Sequence, residues 1–117
     1  MSTEITINGT VYVPKSETAR NVEGAPYVLV RGRDSGVQVG WLMSREGQEV
    51  ALSQARRIWY WAGAASISEL AQRGTSKPQD CKFPAPVGQV TILDAIEVLD
   101  VTEAARVSIA SVPVWSA

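Results

Sequence analysis

The sequence contains no histidine and only one cysteine, Cys81. Without histidine, the chain cannot build a Ser-His-Asp or Cys-His nucleophile, or a metal site with imidazole ligands. A single cysteine cannot form a disulfide within the chain or supply a multi-cysteine zinc site, so we expect Cys81 to be a small buried residue. The glycine-rich phosphate loops of P-loop and dinucleotide-binding proteins are missing too. These absences favour a protein that binds over one that catalyses, and they imply no cofactor.

Excess charge and long apolar runs are missing as well. The net charge is −1 with 20% charged residues, which lacks the basic excess of a general DNA- or RNA-binding protein. No apolar run approaches the ~20 residues of a membrane span, and the first residues do not form a signal peptide. From 117 residues with 45% apolar content we expect a single small domain that is soluble and intracellular.

The first half of the sequence alternates apolar and polar residues between the turn signals of an antiparallel meander. The segment "EITINGTVYVP" alternates on both sides of Asn8-Gly9, a pair that favours a type I′ turn, and so predicts a hairpin. Because residues 15–26 have little apolar content, we place the hairpin and a linker at 1–24 and the main domain at 25–117. The predicted strands of that domain are Tyr27–Arg33, Val37–Met43, Glu49–Leu52, Arg56–Trp61 and one bent or bulged strand at 89–102.

Two short helices complete the predicted fold. Ser66 followed by Glu69 three positions later is a capping box, and Gly74 suits the position just after a helix. Thr102 caps a second helix that ends near Ser111. The sequence therefore predicts an α+β domain, in which an antiparallel β-meander of five or more strands packs with two short helices.

The stretch "ARRIWYW" places two arginines directly before three aromatic residues. On a strand, one parity directs Ile58 and Tyr60 inward to the core, and the other directs Arg57, Trp59 and Trp61 to the opposite face. Guanidinium groups bind phosphates and indole rings stack on bases, so the second face can line a nucleotide pocket. The alternative is a core strand, or a seam between subunits, whose arginines reach solvent or cover tryptophan rings.

Two further segments carry candidate binding groups. In the proline-rich loop after the first helix, the candidate phosphate donors are Thr75, Ser76, Lys77 and Lys82. In the same loop Phe83 offers a stacking face, unless its ring only plugs the loop onto the core. Arg31, near the end of the first strand of the main domain, is either a phosphate ligand or a solvated strand end.

A catalytic alternative rests on the carboxylates of the segment 89–102. Asp94 and Asp100 share a face of an extended strand, but their six-residue separation spans ~20 Å. Catalytic pairs of carboxyl groups lie some 5–10 Å apart, so this pair has the wrong spacing. The alternative predicts a nucleotide-processing enzyme whose turnover depends on Asp94, and it is the weakest of the three hypotheses.

Four stretches of the sequence together carry a resemblance to a known family. They are "SREG" followed by "EV", the central run "ARRIWYWAGAASISELAQRGTSKPQDCKF", the segment "IEVLDVTEAARVSI" and the final "VPVW". The resemblance covers about residues 27–115. Over this range the sequence resembles small phage-encoded proteins, and in particular the first type of phage Thoeris anti-defence protein.

The resemblance implies a sponge and not an enzyme. Proteins of that type sequester a cyclic ADP-ribose signal, here glycocyclic ADP-ribose, without cleaving it, and so block Thoeris immunity. It implies a homo-oligomer in the host cytoplasm with no membrane, DNA or RNA partner, and it leaves cyclic oligonucleotides open as further ligands. Together with the residue patterns above, the expected ligand-binding residues are Arg31, Arg57, Trp61, Thr75, Lys77 and Phe83. A structural or interaction protein that assembles through its aromatic strand is the alternative.

Overall fold

The computed structural model describes residues 5–7, 10–12 and 18–116. The strands in this part of the chain are β1 (Ile5–Ile7), β2 (Thr10–Tyr12), β3 (Tyr27–Gly32), β4 (Val37–Glu46), β5 (Glu49–Ile58), β6 (Val87–Ile92) and β7 (Ala95–Asp100). The helices are α1 (Ile67–Arg73), α2 (Glu103–Ala110) and a short 3-10 helix at Pro78–Asp80. Neither described α-helix is long and apolar enough to cross a membrane.

The first two strands form the predicted N-terminal hairpin. β1 and β2 pair in antiparallel register, with Ile5 opposite Tyr12, and make a two-stranded sheet of their own. The Asn8-Gly9 turn lies outside the described residues. After the hairpin, Ala19 is buried against the main domain, and its N–H donates to the carbonyl of Val101 at 3.0 Å. The domain boundary after residue 24 stays a prediction.

The main sheet has five antiparallel strands in the order β6-β5-β4-β3-β7, which confirms the α+β meander. β6 and β7 lie at opposite edges, although only Leu93 and Asp94 separate them along the chain. The sheet must therefore curl until its two edges approach at this turn. The Ala95 N–H, which donates to the carbonyl of Gln48 at 3.1 Å, ties the turn to the β4–β5 connection. The prediction of one bulged strand at 89–102 is wrong, because the bend divides it between both sheet edges.

The prediction of two separate strands, Glu49–Leu52 and Arg56–Trp61, is also wrong, because β5 runs without a break from Glu49 to Ile58. Gln54 takes a positive φ of 50°, and the pairing register with β4 shifts at this point. This is a β-bulge, in which one extra residue enters the strand without ending it. Gly40 on β4 lies against the bulge, where a Cβ atom would come within 3.0 Å of the Ser53 carbonyl oxygen. The absence of a side chain at Gly40 lets the two backbones approach.

β3 is buried on both faces of the curled sheet. Val28 and Val30 belong to a core on the concave side, whereas Tyr27 and Leu29 belong to a second core on the helix side. A strand buried on both faces has a continuous apolar sequence, which explains "YVLV". The helix-side core also contains Leu70 from α1, Phe83, and Ala105 and Ile109 from α2.

Both helices begin where the capping signals predict. The Ser66 Oγ accepts from the Glu69 N–H at 3.2 Å, and Gly74 follows α1 with a φ of 76°. The Thr102 Oγ1 accepts from the Ala105 N–H at 3.0 Å at the start of α2. These hydrogen bonds satisfy backbone donors that the helix itself leaves unpaired.

Candidate functional site

The three central aromatic residues follow a strand and do not lie within it. β5 ends at Ile58, which is buried as predicted. Trp59 and Tyr60 are 65% and 53% exposed, whereas Trp61 is half-buried and packs against the helix-side core. The prediction that Tyr60 points inward with Ile58 is wrong, because the strand alternation stops before Tyr60 is reached.

Exposed rings gather on one surface around a lysine. The Lys82 Nζ lies 5.9 Å from the centroid of the Tyr60 ring and 5.7 Å from the centroid of the Trp115 ring. The Lys82 N–H donates to the Tyr60 carbonyl at 2.8 Å, and the Trp115 N–H donates to the Phe83 carbonyl at 3.0 Å. We define the aromatic surface as Trp59, Tyr60, Lys82, Val114 and Trp115; both Trp59 and Val114 are exposed. It offers several π-faces and a cation to solvent.

The two adjacent arginines of β5 have opposite environments. Arg56 is buried, and its guanidinium donates to four carbonyl oxygens, those of Pro84 at 3.0 Å, Ile109 at 3.0 Å, Phe83 at 3.2 Å and Val112 at 2.8 Å. Burial lowers the pKa of Arg56, because it disfavours the charged form. Arg57 is exposed, and its Nη1 donates to the Ser35 carbonyl at 2.6 Å. Arg56 therefore has a core role, and only Arg57 is free to meet a ligand.

The structure does not bring Arg31 and Arg57 into one pocket. Arg31 pairs across the sheet with Val37, which in turn pairs with Ile58, whereas Arg57 pairs with Gln38. Directly paired residues share a face and adjacent residues on a strand face opposite ways, so the two arginines lie on opposite faces. Arg31 instead forms a surface ion pair with Glu97 at 3.5 Å. In this arrangement Arg31 and Arg57 cannot both contact the same pyrophosphate.

The structure corrects the assignment of Phe83 as a stacking face. Its side chain has no exposed area and belongs to the helix-side core. The guanidinium carbon of Arg56 lies 5.4 Å from the ring centroid, so the ring already has a cationic partner. The alternative, in which Phe83 plugs its loop onto the core, is the correct one.

Thr75 is not available to a ligand either. It is buried, and its hydroxyl donates to the Ala62 carbonyl and accepts from the Lys77 N–H at 2.9 Å. Gly63 lies against this contact with a φ of 79°, and a Cβ atom there would come within 2.5 Å of the Lys77 nitrogen. The segment after Trp61 and the loop at 75–77 are therefore close neighbours, and the Lys77 side chain is exposed beside them.

Cys81 lies under the same loop as a buried free thiol, as expected. Its Sγ accepts from the Ala62 N–H at 3.4 Å and lies 3.6 Å from the Thr75 Oγ1. No group of three or more residues suited to hold a metal ion occurs in the described residues. The candidate catalytic carboxylate, Asp94, has a structural environment instead.

Asp94 joins two turns that are distant in sequence. Its Oδ2 accepts from the N–H groups of Asp34 at 2.6 Å and Ser35 at 3.1 Å, and its Oδ1 accepts from the Ser35 hydroxyl. Gly32 lies against this cluster, where a Cβ atom would meet both Ser35 and Asp94. The hydrogen bonds from Ser35 and Asp34 hold the pKa of Asp94 below its usual value.

This depressed pKa predicts an acid-sensitive turn. A carboxyl group with a lower pKa in the folded state stabilises the fold above its unfolded pKa of about 3.9, and that stability is lost as the pH falls through the folded pKa. We expect Asp94→Asn to lower the unfolding midpoint in urea at pH 7 and to reduce the loss of stability between about pH 5 and pH 2. Urea unfolding at several pH values measures both effects, with Asp100→Asn as the exposed control.

Trp41 is the aromatic residue that sequence analysis missed. It is half-buried on β4 and borders two clefts, of about 610 and 450 Å³, that share Asn21 as a second wall. Arg106 of α2 also lines the larger cleft, although it lies more than 60 residues after Trp41 in the sequence. Only the tertiary fold brings these residues together, so no local pattern could have paired them.

The fold and these surfaces define a small α+β domain that presents aromatic rings and cations on its exterior. The chain belongs to the family described as "Domain of unknown function (DUF6948)", whose model matches residues 25–109. No curated protein and no solved structure was found to match the chain.

Proposed function

We propose that this protein is a phage anti-defence sponge that binds a cyclic ADP-ribose-type nucleotide in the host cytoplasm and does not cleave it. The resemblance to Thoeris anti-defence proteins suggests this function, and the aromatic surface supports it. A cyclised ADP-ribose has an adenine base, two riboses and a pyrophosphate, so its capture needs a π-face beside cations.

The single observation that carries the proposal is the ammonium of Lys82 between two exposed rings. Tyr60 and Trp115 each offer a face on which a base can stack, for about 1–3 kcal/mol per base. Lys82 supplies a charge for the pyrophosphate next to either ring. Base and phosphate therefore meet complementary groups on one surface.

An open surface covers only one side of a ligand, whereas tightly held ligands are 70–90% buried. A second copy of the chain, laid against the aromatic surface, would cover the other side and shield the exposed rings of Trp59 and Tyr60. The proposed sponge is for this reason a homo-oligomer whose sites lie where two copies meet.

Isothermal titration with glycocyclic ADP-ribose tests the proposal. Tyr60→Ala should weaken binding roughly 5- to 150-fold through the lost stacking interaction. Lys82→Gln should weaken nucleotide binding more at low salt than at high salt. The reason is that high salt already screens the attraction between the Lys82 ammonium and the phosphates in the wild-type protein. Arg31→Gln is the matched control, since Arg31 of β3 pairs with Glu97 of β7 and neither strand contributes a residue to the aromatic surface.

Three results would decide against this function. Wild-type protein that binds neither glycocyclic ADP-ribose nor linear ADP-ribose below about 10 μM, an affinity of roughly −7 kcal/mol, would remove the sponge. Ligand recovered in a chemically altered form after denaturation would indicate the enzyme instead. Equal losses from Arg31→Gln and Lys82→Gln would place the site elsewhere.

A second candidate function is an interaction protein that uses the same surface without a nucleotide. The observation that favours it is the exposure of Trp59, Tyr60 and Val114, since tryptophan and tyrosine are common anchors of protein interfaces. Light scattering distinguishes the two functions. A Trp59→Ser variant that becomes monomeric and still binds nucleotide with wild-type affinity would make the surface an interface alone.

A further inference from the structure

A cleft of about 610 Å³ lies between the Thr18–Val22 segment, β4 and the first turns of α2. We call it the Trp41 cleft; the residues that matter here are Arg20, Asn21, Trp41, Glu103 and Arg106. Its volume is within the range of small-molecule sites. None of these residues belongs to the aromatic surface, so the inference below does not depend on the proposed function.

The indole of Trp41 is held in place from beneath. The buried ring of Tyr27 meets it edge-on, with 4.8 Å between centroids and 72° between planes. Next to it, the Leu42 N–H donates to the Pro26 carbonyl at 2.9 Å and fixes the backbone. Burial raises the pKa of Tyr27 to about 12, so this supporting ring stays neutral. A ligand ring would therefore meet a preorganised, half-exposed indole that also lies beside the Arg106 guanidinium.

The opposite wall is also rigid. The Asn21 side-chain oxygen accepts from the N–H groups of Glu23 at 3.0 Å and Ala25 at 2.9 Å, which closes a local turn. Arg20 is fastened to the same turn, because its Nη1 donates to the Gly24 carbonyl at 2.9 Å. Arg20 is itself one of the residues that line the cleft.

The charge of the cleft favours an anion. Arg106 places its guanidinium 5.8 Å from the centroid of the Trp41 ring, and its Nε and Nη2 donate to Glu103 at 2.8 and 2.6 Å. This bidentate pair leaves Nη1 of Arg106 for another acceptor. Among the described residues that line the cleft, the two cations Arg20 and Arg106 outnumber the one carboxylate, that of Glu103.

We propose that the Trp41 cleft binds a small planar organic anion. The ring of the ligand lies against the indole of Trp41, and its carboxylate, sulfonate or phosphate accepts from Arg20 and from Nη1 of Arg106. Glu103 holds Arg106 in position and weakens the field, so the cleft selects a singly charged group.

A nuclear magnetic resonance titration tests the proposal with 2-naphthoate, a planar monoanion, as the probe. The four tryptophan indole N–H signals are assigned with single Trp→Phe variants. We expect the Trp41 signal to shift and saturate with a dissociation constant on the order of 1 mM, as the usual binding energy per atom gives for a ligand of this size. The neutral 2-naphthamide has the same shape and should bind at least about tenfold more weakly.

Removing a positive charge and removing the negative charge of the cleft should change the affinity for 2-naphthoate in opposite directions. Arg20→Gln should weaken 2-naphthoate binding, and Glu103→Gln should tighten it because the competing carboxylate is removed. Arg31→Gln, outside the cleft, is the control and should change nothing. Binding of 2-naphthamide as tightly as 2-naphthoate, or a saturating shift at Trp59 or Trp115 instead of Trp41, would overturn the proposal. A shift at Trp41 that fails to respond to Arg20→Gln and Glu103→Gln would do so too.

Discussion

Replacing Arg56 with alanine is expected to lower the free energy of unfolding by about 3–5 kcal/mol, because it removes the donor of several buried hydrogen bonds, each worth about 1.5–3 kcal/mol when one partner is charged. Domains of this kind are stable by only about 5–15 kcal/mol in total. The variant should therefore unfold at a much lower urea concentration, and we expect part of it to misfold during production.

The size of the effect follows from what the guanidinium joins. It donates to the carbonyls of Ile109 and Val112, at the end of α2 and just beyond it, and to those of Phe83 and Pro84 in the preceding loop. A cation near the carbonyl end of a helix is favourable. Alanine would leave four carbonyl oxygens with one partner fewer, and it would also remove the cation above the Phe83 ring.

The neighbouring arginine gives a matched control. Arg57→Ala removes the same side chain one position later, but Arg57 is exposed, and its guanidinium makes one hydrogen bond among the described residues, to the Ser35 carbonyl. We expect it to cost less than about 1 kcal/mol, the range for exposed positions without a special role. Arg56→Lys should recover only part of the stability, because an ammonium cannot reach four acceptors in a plane. Equal losses from Arg56→Ala and Arg57→Ala in urea unfolding would contradict the core role of Arg56.

The difference between these two arginines shows where sequence analysis reached its limit. Alternation along β5 places Val50 and Leu52 on the concave side, and an unbroken strand would place Arg56 there too. The bulge at Gln54 reverses the alternation, so that Ala55 lies on the concave side and Arg56 on the helix side. A bulge depends on the fit between neighbouring strands, here on Gly40, and not on a local motif.

Local signals did predict the parts of the fold that local hydrogen bonds determine. The caps of α1 and α2, the N-terminal hairpin and the antiparallel meander all follow from short patterns around Ser66, Thr102 and the turns. The curl that carries the chain from β6 to β7 depends on contacts between distant segments, such as the Arg33 N–H with the Asp94 carbonyl at 3.0 Å. The same is true of the candidate site, since Lys82 meets Tyr60 and Trp115 only through tertiary contacts.

Phe83→Ala is the second substitution with a large expected effect, about 3–5 kcal/mol of unfolding free energy. The ring is the largest fully buried side chain of the described residues, so its removal leaves a cavity in the helix-side core. The Phe83 backbone also holds part of the aromatic surface in place. Its carbonyl accepts from the Trp115 N–H, and Phe83 forms an isolated β-bridge with Val114. We therefore expect nucleotide affinity to fall as well, as an indirect result of a loosened Trp115.

Phe83→Leu separates this structural role from direct contact with a base. Leucine keeps an apolar side chain in the core, so the loss of stability should be about 1 kcal/mol, typical of a point substitution. Because no part of the Phe83 ring reaches the surface, the folded Phe83→Leu protein should bind glycocyclic ADP-ribose within about twofold of wild type. Tyr60→Ala should show the reverse pattern, with near-normal stability and weakened binding. A Phe83→Leu protein that unfolds at the wild-type urea concentration but loses binding tenfold or more would mean that the ring meets the ligand, and the core assignment of Phe83 would then be wrong.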